Sequence, residues 1–170
     1  MKNVKHLQCI HCQKTFAPAP GRYTCDECGP VQGILDVVYD YDYIAGICSK
    51  KTLAGDGEHS IWRYLAFLPI EPDQPRPTLR VGWSPLYRAD RLAAAIGLET
   101  LYIKDDGINP TASLKDRASA IAVAKAMAEK ADVICCASTG NAASSLAGNA
   151  ASADLQTVIF VPGRAPQGKV

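Results

Sequence analysis

The spacing of hydrophobic positions changes near residue 78, and from there apolar runs of strand length alternate with helix-length segments of small residues. In chain order, this pattern predicts a helix over 86–96 that ends at Gly97, a strand over 101–103, a helix over 114–131, a buried strand over 133–137, a helix over 141–151 and a strand over 157–161. Strands and helices that alternate through short links predict an α/β fold with a parallel sheet.

Upstream of residue 78 the sequence predicts two smaller regions. Residues 1–30 contain four of the seven cysteines and little apolar periodicity, which indicates a small metal-binding module. Residues 31–77 form a predicted connecting segment that ends in a proline-rich stretch, and prolines at that density favour an extended chain. The sequence stops just after a predicted strand, so we expect residues 78–170 to be the truncated N-terminal part of a larger α/β domain.

Charge and hydropathy argue against two classes of partner. The formal net charge is only +1, which provides no basic excess for binding nucleic acid. Apolar runs fall short of the roughly 20 residues that span a membrane, and the polar N-terminus lacks the apolar core of a signal peptide. We therefore expect a cytoplasmic protein with reduced thiols and with neither nucleic-acid nor membrane partners.

Four cysteines form two Cys-x-x-Cys pairs, Cys9 with Cys12 and Cys25 with Cys28, which are separated by twelve residues. Two such turns place four thiolates in a tetrahedron that suits zinc, and a shell filled by four thiolates leaves no open position for catalysis. The spacing therefore predicts a structural zinc ribbon. A disulfide pair and free cysteines are the alternatives, but neither pair opens a helix as a redox Cys-x-x-Cys does.

Lys115 lies at the predicted start of a helix, downstream of a turn over residues 107–110. We expect Ser113 to cap this helix and Asp116 to occupy its third position, which places Lys115 in the first turn. Positive partial charge at a helix N-terminus favours the neutral amine, and a neutral amine is what Schiff-base chemistry requires. An ordinary solvated lysine is the alternative interpretation of the same residue.

Residues 137–145 follow an apolar strand and open a helix at a glycine. This switch exposes backbone N–H groups at a helix N-terminus, where they form a site for a carboxylate or phosphate. Ser138 and Thr139 add hydroxyl groups, and Asn141 adds a side-chain amide that can donate or accept. A plain capped turn uses the same residue types, so the loop alone leaves both interpretations open.

The two segments taken together, Asn109-Pro-Thr-Ala-Ser-Leu-Lys-Asp-Arg117 followed by Ser138-Thr-Gly-Asn141, resemble the fold-type II pyridoxal-phosphate (PLP) enzymes. Within that group the chain is most similar to the threonine synthase family, which the cysteine pairs and Gly82-Trp-Ser-Pro-Leu86 also fit. The resemblance implies a PLP-dependent lyase that converts O-phosphohomoserine and water to threonine and phosphate, with PLP as electron sink.

The resemblance also implies a role for each matching residue. Lys115 would bind PLP as a Schiff base and then act as general base and acid, and Asn141 would hydrogen-bond the cofactor's 3′-oxygen. The substrate α-carboxylate would lie against the residues Ser138, Thr139, Gly140, Asn141 and Ala142. The family usually has glycine at Ala112, phenylalanine at Leu114 and a hydroxyl residue at Ala142, so these departures leave the substrate open.

Other functions share these residues. Cysteate synthase and threonine or serine dehydratase belong to the same fold type and would use the same lysine. A non-catalytic zinc-binding interaction module is the alternative from a different class. For the full-length protein we expect a small amino-acid substrate. The sequence is compatible with either a monomer or a homo-oligomer. We expect the truncated chain alone to be inactive, because the family's PLP phosphate-binding loop lies beyond Val170.

Overall fold

The computed structural model describes residues 1–169, which divide into two compact units. The first unit contains Met1–Glu58 and Trp62–Asp73, and the second contains His59–Ile61 and the residues from Gln74 onward. Among the described residues, no helix is both long enough and apolar enough to cross a membrane.

A three-stranded antiparallel sheet organises the first unit. Its elements, in chain order, are β1 (Val4–Cys9), β2 (Thr15–Phe16), α1 (Gly29–Gln32), β3 (Leu35–Tyr39), α2 (Tyr41–Ile47) and α3 (Lys50–Gly55). The strand order is β2-β1-β3, and Leu7 of the central strand lies opposite both Phe16 and Val37. A strand from the segment 31–77 therefore pairs directly with the strand that carries the first ribbon cysteine.

The helix-like segment near residue 61 is a 3-10 helix, Ile61–Phe67, with a kink at Tyr64. Its last carbonyl groups are capped by the buried side chain of Asn3, whose Nδ2 donates to Ala66 O at 3.2 Å and to Leu68 O at 2.8 Å. This one amide therefore supplies donors to the half-buried carbonyl groups at the end of the short helix within the first unit.

The second unit combines a parallel strand pair, an antiparallel strand pair and helices. Its elements, in chain order, are β4 (Leu86–Arg88), α4 (Asp90–Ala95), β5 (Tyr102–Lys104), α5 (Asp116–Ala128), β6 (Val133–Ala137), α6 (Asn141–Ala151) and β7 (Gln156–Phe160). β6 and β7 run parallel, with Val133 opposite Gln156 and Ala137 opposite Phe160. This strand–helix–strand unit confirms the predicted α/β class with a parallel sheet.

The helix predicted over 86–96 is wrong in its first part. Residues 86–88 form β4, which pairs antiparallel with β5 so that Leu86 faces Lys104 and Arg88 faces Tyr102. Cross-strand pairing overrides the local helical pattern, because strand formation depends on neighbouring strands more than on intrinsic propensity. The predicted stop is confirmed, since α4 ends at Ala95, just before Gly97.

The strand predicted over 133–137 has the predicted bounds but is not buried. Val133 is 45% exposed, and along the strand exposed positions alternate with half-buried ones. Ile134 and Cys136 pack on a core formed by the helical residues Val123, Leu146 and Ala150. The helices thus cover one face of the strand pair, which gives the alternation of a half-buried strand.

Candidate cofactor and metal sites

The four ribbon cysteines, Cys9, Cys12, Cys25 and Cys28, converge in the first unit. Their Sγ atoms all lie within 4.8 Å of one another, and Cys9 and Cys25 are buried. Cys12 Sγ and Cys25 Sγ are 3.8 Å apart. A tetrahedral zinc with Zn–S bonds of about 2.3 Å holds its sulfurs about 3.8 Å apart. The donor set and its spacing therefore fit a metal such as zinc.

Backbone hydrogen bonds hold the two cysteine turns in place. Cys9 N donates to Lys14 O at 2.9 Å, and Cys25 N donates to Gly33 O at 2.7 Å. A Cβ atom at Gly33 would lie 2.9 Å from the Cβ atoms of both Cys25 and Cys28, so a larger residue does not fit there. Glycine at this position allows the chain to return closely beside the second cysteine pair.

The thiols of the cluster differ in acidity. The backbone N–H of Cys12 lowers the pKa of the Cys9 thiol to about 7. A side-chain hydrogen bond with Cys12 raises the pKa of the Cys28 thiol to about 12. A bound cation would favour the thiolate form of every cysteine in the cluster, because metal ligands must be deprotonated.

Lys115 is exposed at the N-cap of α5, immediately before the first helical residue. The expectation that Ser113 caps this helix and that Asp116 is its third residue is wrong. Residues 111–115 form turns, the helix begins at Asp116, and Ser113 Oγ accepts a hydrogen bond from Lys115 N at 3.1 Å. The side chain of Asp116 accepts hydrogen bonds from Thr111 N and Thr111 Oγ1, so it does not cap the helix.

Ala112 lies inside this turn with a φ of 56°, in the left-handed region that favours glycine. Replacing Ala112 by glycine is expected to stabilise the protein by up to about 1 kcal/mol, because glycine has no Cβ to clash there. Urea unfolding measures the change. Ala122→Gly, at an exposed position inside α5, is the control and should destabilise by about 1 kcal/mol. The same sign at both positions would contradict the explanation.

The Ser-Thr-Gly-Asn segment joins β6 to α6, and Gly140 is the N-cap of that helix. Gly140 N donates to Ser138 Oγ at 3.2 Å, while Asn141 and Ala142 are exposed in the first helical turn. The predicted change from strand to helix at a glycine is therefore confirmed. The first backbone N–H groups of a helix have no acceptor within the helix and point outward from its N-terminus.

Hydrogen bonds connect the lysine segment to this loop. Ser119 N donates to Lys115 O at 3.0 Å, Ser119 Oγ and Ser145 Oγ are 2.7 Å apart, and Ser145 Oγ donates to Ala142 O at 3.2 Å. Both serine side chains are buried. The two segments that the sequence singled out thus belong to one packed region. Neither serine is predicted as a site residue from the sequence.

A second polar cluster joins residues 82–84 to the chain on both sides of Lys115. Arg117 donates to both carboxylate oxygens of Asp106, at 2.8 Å and 2.7 Å, and Ser84 Oγ donates to Asp106 Oδ1 at 2.5 Å. The hydrogen bonds from Arg117 hold the pKa of Asp106 well below its usual range. Asn109 Oδ1 accepts from Gly82 N at 2.9 Å, so the Gly82–Ser84 backbone is bound to the segment that precedes Lys115.

Comparison with known proteins identifies the class to which this arrangement belongs. Residues 77–170 match the family described as "Pyridoxal-phosphate dependent enzyme". The match covers more than half of the chain, and the chain belongs to this family.

The similar proteins within the family are threonine synthases. The chain is 40% identical over 167 residues to the threonine synthase of Methanosarcina acetivorans, which covers 97% of this chain and 39% of that protein. It is 38% identical over 164 residues to that of Methanocaldococcus jannaschii, covering 96% of this chain and 39% of that protein. The resemblance drawn from the motifs is therefore confirmed. The chain spans about 39% of the length of these two relatives.

Proposed function

We propose that the full-length protein containing this chain is a threonine synthase of fold type II, which converts O-phosphohomoserine and water to threonine and phosphate. The observation that carries the proposal is the exposed Lys115 at a helix start, whose backbone is connected through two buried serines to Ala142, the residue that follows the Ser-Thr-Gly-Asn segment. The names of the relatives support the choice of reaction. We further propose that the protein acts in the cytoplasm on a small amino-acid substrate.

The residues present fit the cofactor and its substrate. PLP, when bound, supplies an electron sink that stabilises negative charge on the substrate. Lys115 offers an exposed primary amine, which attaches the cofactor and then moves protons at the substrate's α- and β-carbons. Asn141, exposed at the start of α6, would donate a hydrogen bond from its side-chain amide to the cofactor's 3′-oxygen.

The N-terminus of α6 is suited to the substrate's α-carboxylate. Its first backbone N–H groups and the positive end of the helix dipole favour an anion at this position. In this assignment Ser138, Thr139 and the backbone of Gly140, Asn141 and Ala142 orient the substrate. The hydroxyl that relatives often carry after the asparagine is missing at Ala142, so the carboxylate depends more on backbone donors.

The proposed zinc has a structural role. All four cysteines are needed to complete a tetrahedral shell, and such a shell has no open position for a substrate. The reaction is therefore assigned entirely to the second unit and the part of the protein that follows it.

The test is product analysis of the full-length protein supplied with PLP and O-phosphohomoserine. Threonine and phosphate should appear in equal amounts. Ammonia released from threonine or serine would instead assign a dehydratase. Sulfite-dependent formation of cysteate would assign a cysteate synthase. The 170-residue chain should form no threonine in the same assay, and measurable turnover by it would contradict the proposed need for the remaining residues.

A further inference from the structure

Asp116, the residue after Lys115, has a fully buried side chain. Its Oδ2 accepts hydrogen bonds from Thr111 N and Thr111 Oγ1, both at 2.9 Å, and its Oδ1 accepts from Asn149 Nδ2 at 2.8 Å. All three contacts come from hydrogen-bond donors, and both carboxylate oxygens accept at least one of them. A buried carboxylate held in this way is a strong constraint on the groups that bind it.

Asp116 and its partner Thr111 lie on the two sides of the turn that carries Lys115. Asp116 and Thr111 close the turn 111–116, and Ser113 Oγ inside it accepts from Lys115 N at 3.1 Å. The turn also contains Ala112 at a φ of 56°. Backbone in such a conformation persists only where its surroundings fix it, and the Asp116 carboxylate provides two of the fixing bonds.

The turn that carries Lys115 packs against helix α6. Asn149 is fully buried, and its Nδ2 also donates to Ser145 O at 2.9 Å, so its amide is held in place on the helix. One residue earlier, a Cβ atom at Gly148 would lie only 2.7 Å from Thr111 Cγ2. The glycine thus leaves room for Thr111, and the helix that begins at Asn141 also carries both contacts to the lysine turn.

We propose that Asp116 and Asn149 are positioning residues that lock the turn 111–115 onto helix α6 and thereby aim the Lys115 amine at the cofactor. The inference rests on the proposed cofactor role of Lys115. Both side chains are buried and act through Thr111 and Lys115. Since Asn141 starts the same helix, the lock also fixes Lys115 relative to the residue assigned to the cofactor's 3′-oxygen.

The test uses the full-length protein with substitutions that keep side-chain size. Asp116→Asn places an amide N–H₂ against a donor, and Thr111→Val removes one donor from the carboxylate. Thr111→Ser keeps that donor, and Asp132→Asn changes an exposed carboxylate outside the cluster. Two quantities are measured: hydrogen exchange of the amides of residues 111–115 without cofactor, and the rate at which PLP becomes trapped on Lys115 by borohydride.

We expect Asp116→Asn to accelerate the exchange and to slow PLP attachment by about tenfold or more, because a buried hydrogen bond is lost and a donor is left without its acceptor. Thr111→Val should show a smaller change of the same kind, and Thr111→Ser and Asp132→Asn should behave like wild type. If Asp116→Asn does not fold, the comparison of Thr111→Val with Thr111→Ser decides.

Three results would overturn the proposal in distinguishable ways. If residues 111–115 exchange in the variants at the wild-type rate, the contacts of Asp116 do not hold the turn in place. If exchange is faster but PLP attaches to Lys115 at the wild-type rate, the Asp116 contacts stabilise the turn but do not orient the Lys115 amine. A wild-type protein whose turn is protected but whose Lys115 takes up no PLP would refute the proposed function and, with it, the aiming role, while leaving the lock intact.

Discussion

Replacing Lys115 by alanine in the full-length protein is expected to abolish covalent PLP attachment and to lower threonine formation by at least about 1000-fold. The amine is both the proposed covalent anchor of the cofactor and the proposed proton-transfer group, and general acid–base catalysis alone contributes roughly 100- to 10,000-fold. Borohydride reduction in the presence of PLP, followed by peptide mapping, checks the first effect. Wild type should yield a pyridoxyl adduct on Lys115, and the variant should yield none at any defined site.

Lys130→Ala is the matched control for this substitution. Lys130 is exposed just beyond the other end of α5, so its removal deletes an amine from the same segment without touching the turn that carries Lys115. The control should keep both the adduct and the activity. An adduct on another lysine, or undiminished activity of Lys115→Ala, would contradict the assignment of Lys115. Absence of both the adduct and the activity in the wild type would favour a zinc-binding scaffold without this chemistry.

The local pattern of the sequence is sufficient to predict the bounds of an element whose formation depends on its own residues. The bounds of Val133–Ala137 and Asn141–Ala151 are those that the sequence predicts, because an apolar run of strand length and a helix of small residues are separated by a short turn that contains Gly140. Residues 86–88 show the opposite case. Their strand exists only through pairing with Tyr102–Lys104, and no local signal reports a partner that lies some distance along the chain.

The candidate site divides in the same way. Lys115 and Asn141 stand in contiguous motifs and could be found from the sequence, as could the four cysteines from their spacing. The buried pairs Ser119 with Ser145 and Asp116 with Asn149 join residues 26 and 33 positions apart, so only the packing of two helices brings them together. Isolated polar residues in alanine-rich helices were the one available signal, because such residues need partners when buried.

Removal of the proposed zinc is expected to unfold the first unit around the cysteines. Classical zinc fingers are unfolded without their metal, and structural zinc contributes apparent binding free energies of about 10–16 kcal/mol in peptides. In this protein the metal would link the turn after β1 to the turn before α1, two segments that the exposed ion pair between Lys14 and Glu27 also joins. Chelation should therefore accelerate amide exchange at Cys9, Cys25 and Gly33 by at least about 1000-fold.

Cysteine variants separate the metal's contribution from a general effect of losing a thiol. Cys9→Ser removes a buried ligand and should leave the purified protein with substoichiometric zinc and with the exchange behaviour of the chelated form. Cys48→Ser replaces a half-buried thiol of the same unit outside the cluster, and it should keep one zinc per chain and slow exchange. Full zinc occupancy in Cys9→Ser, or equal loss in both variants, would show that the four-cysteine cluster is not what holds the unit together.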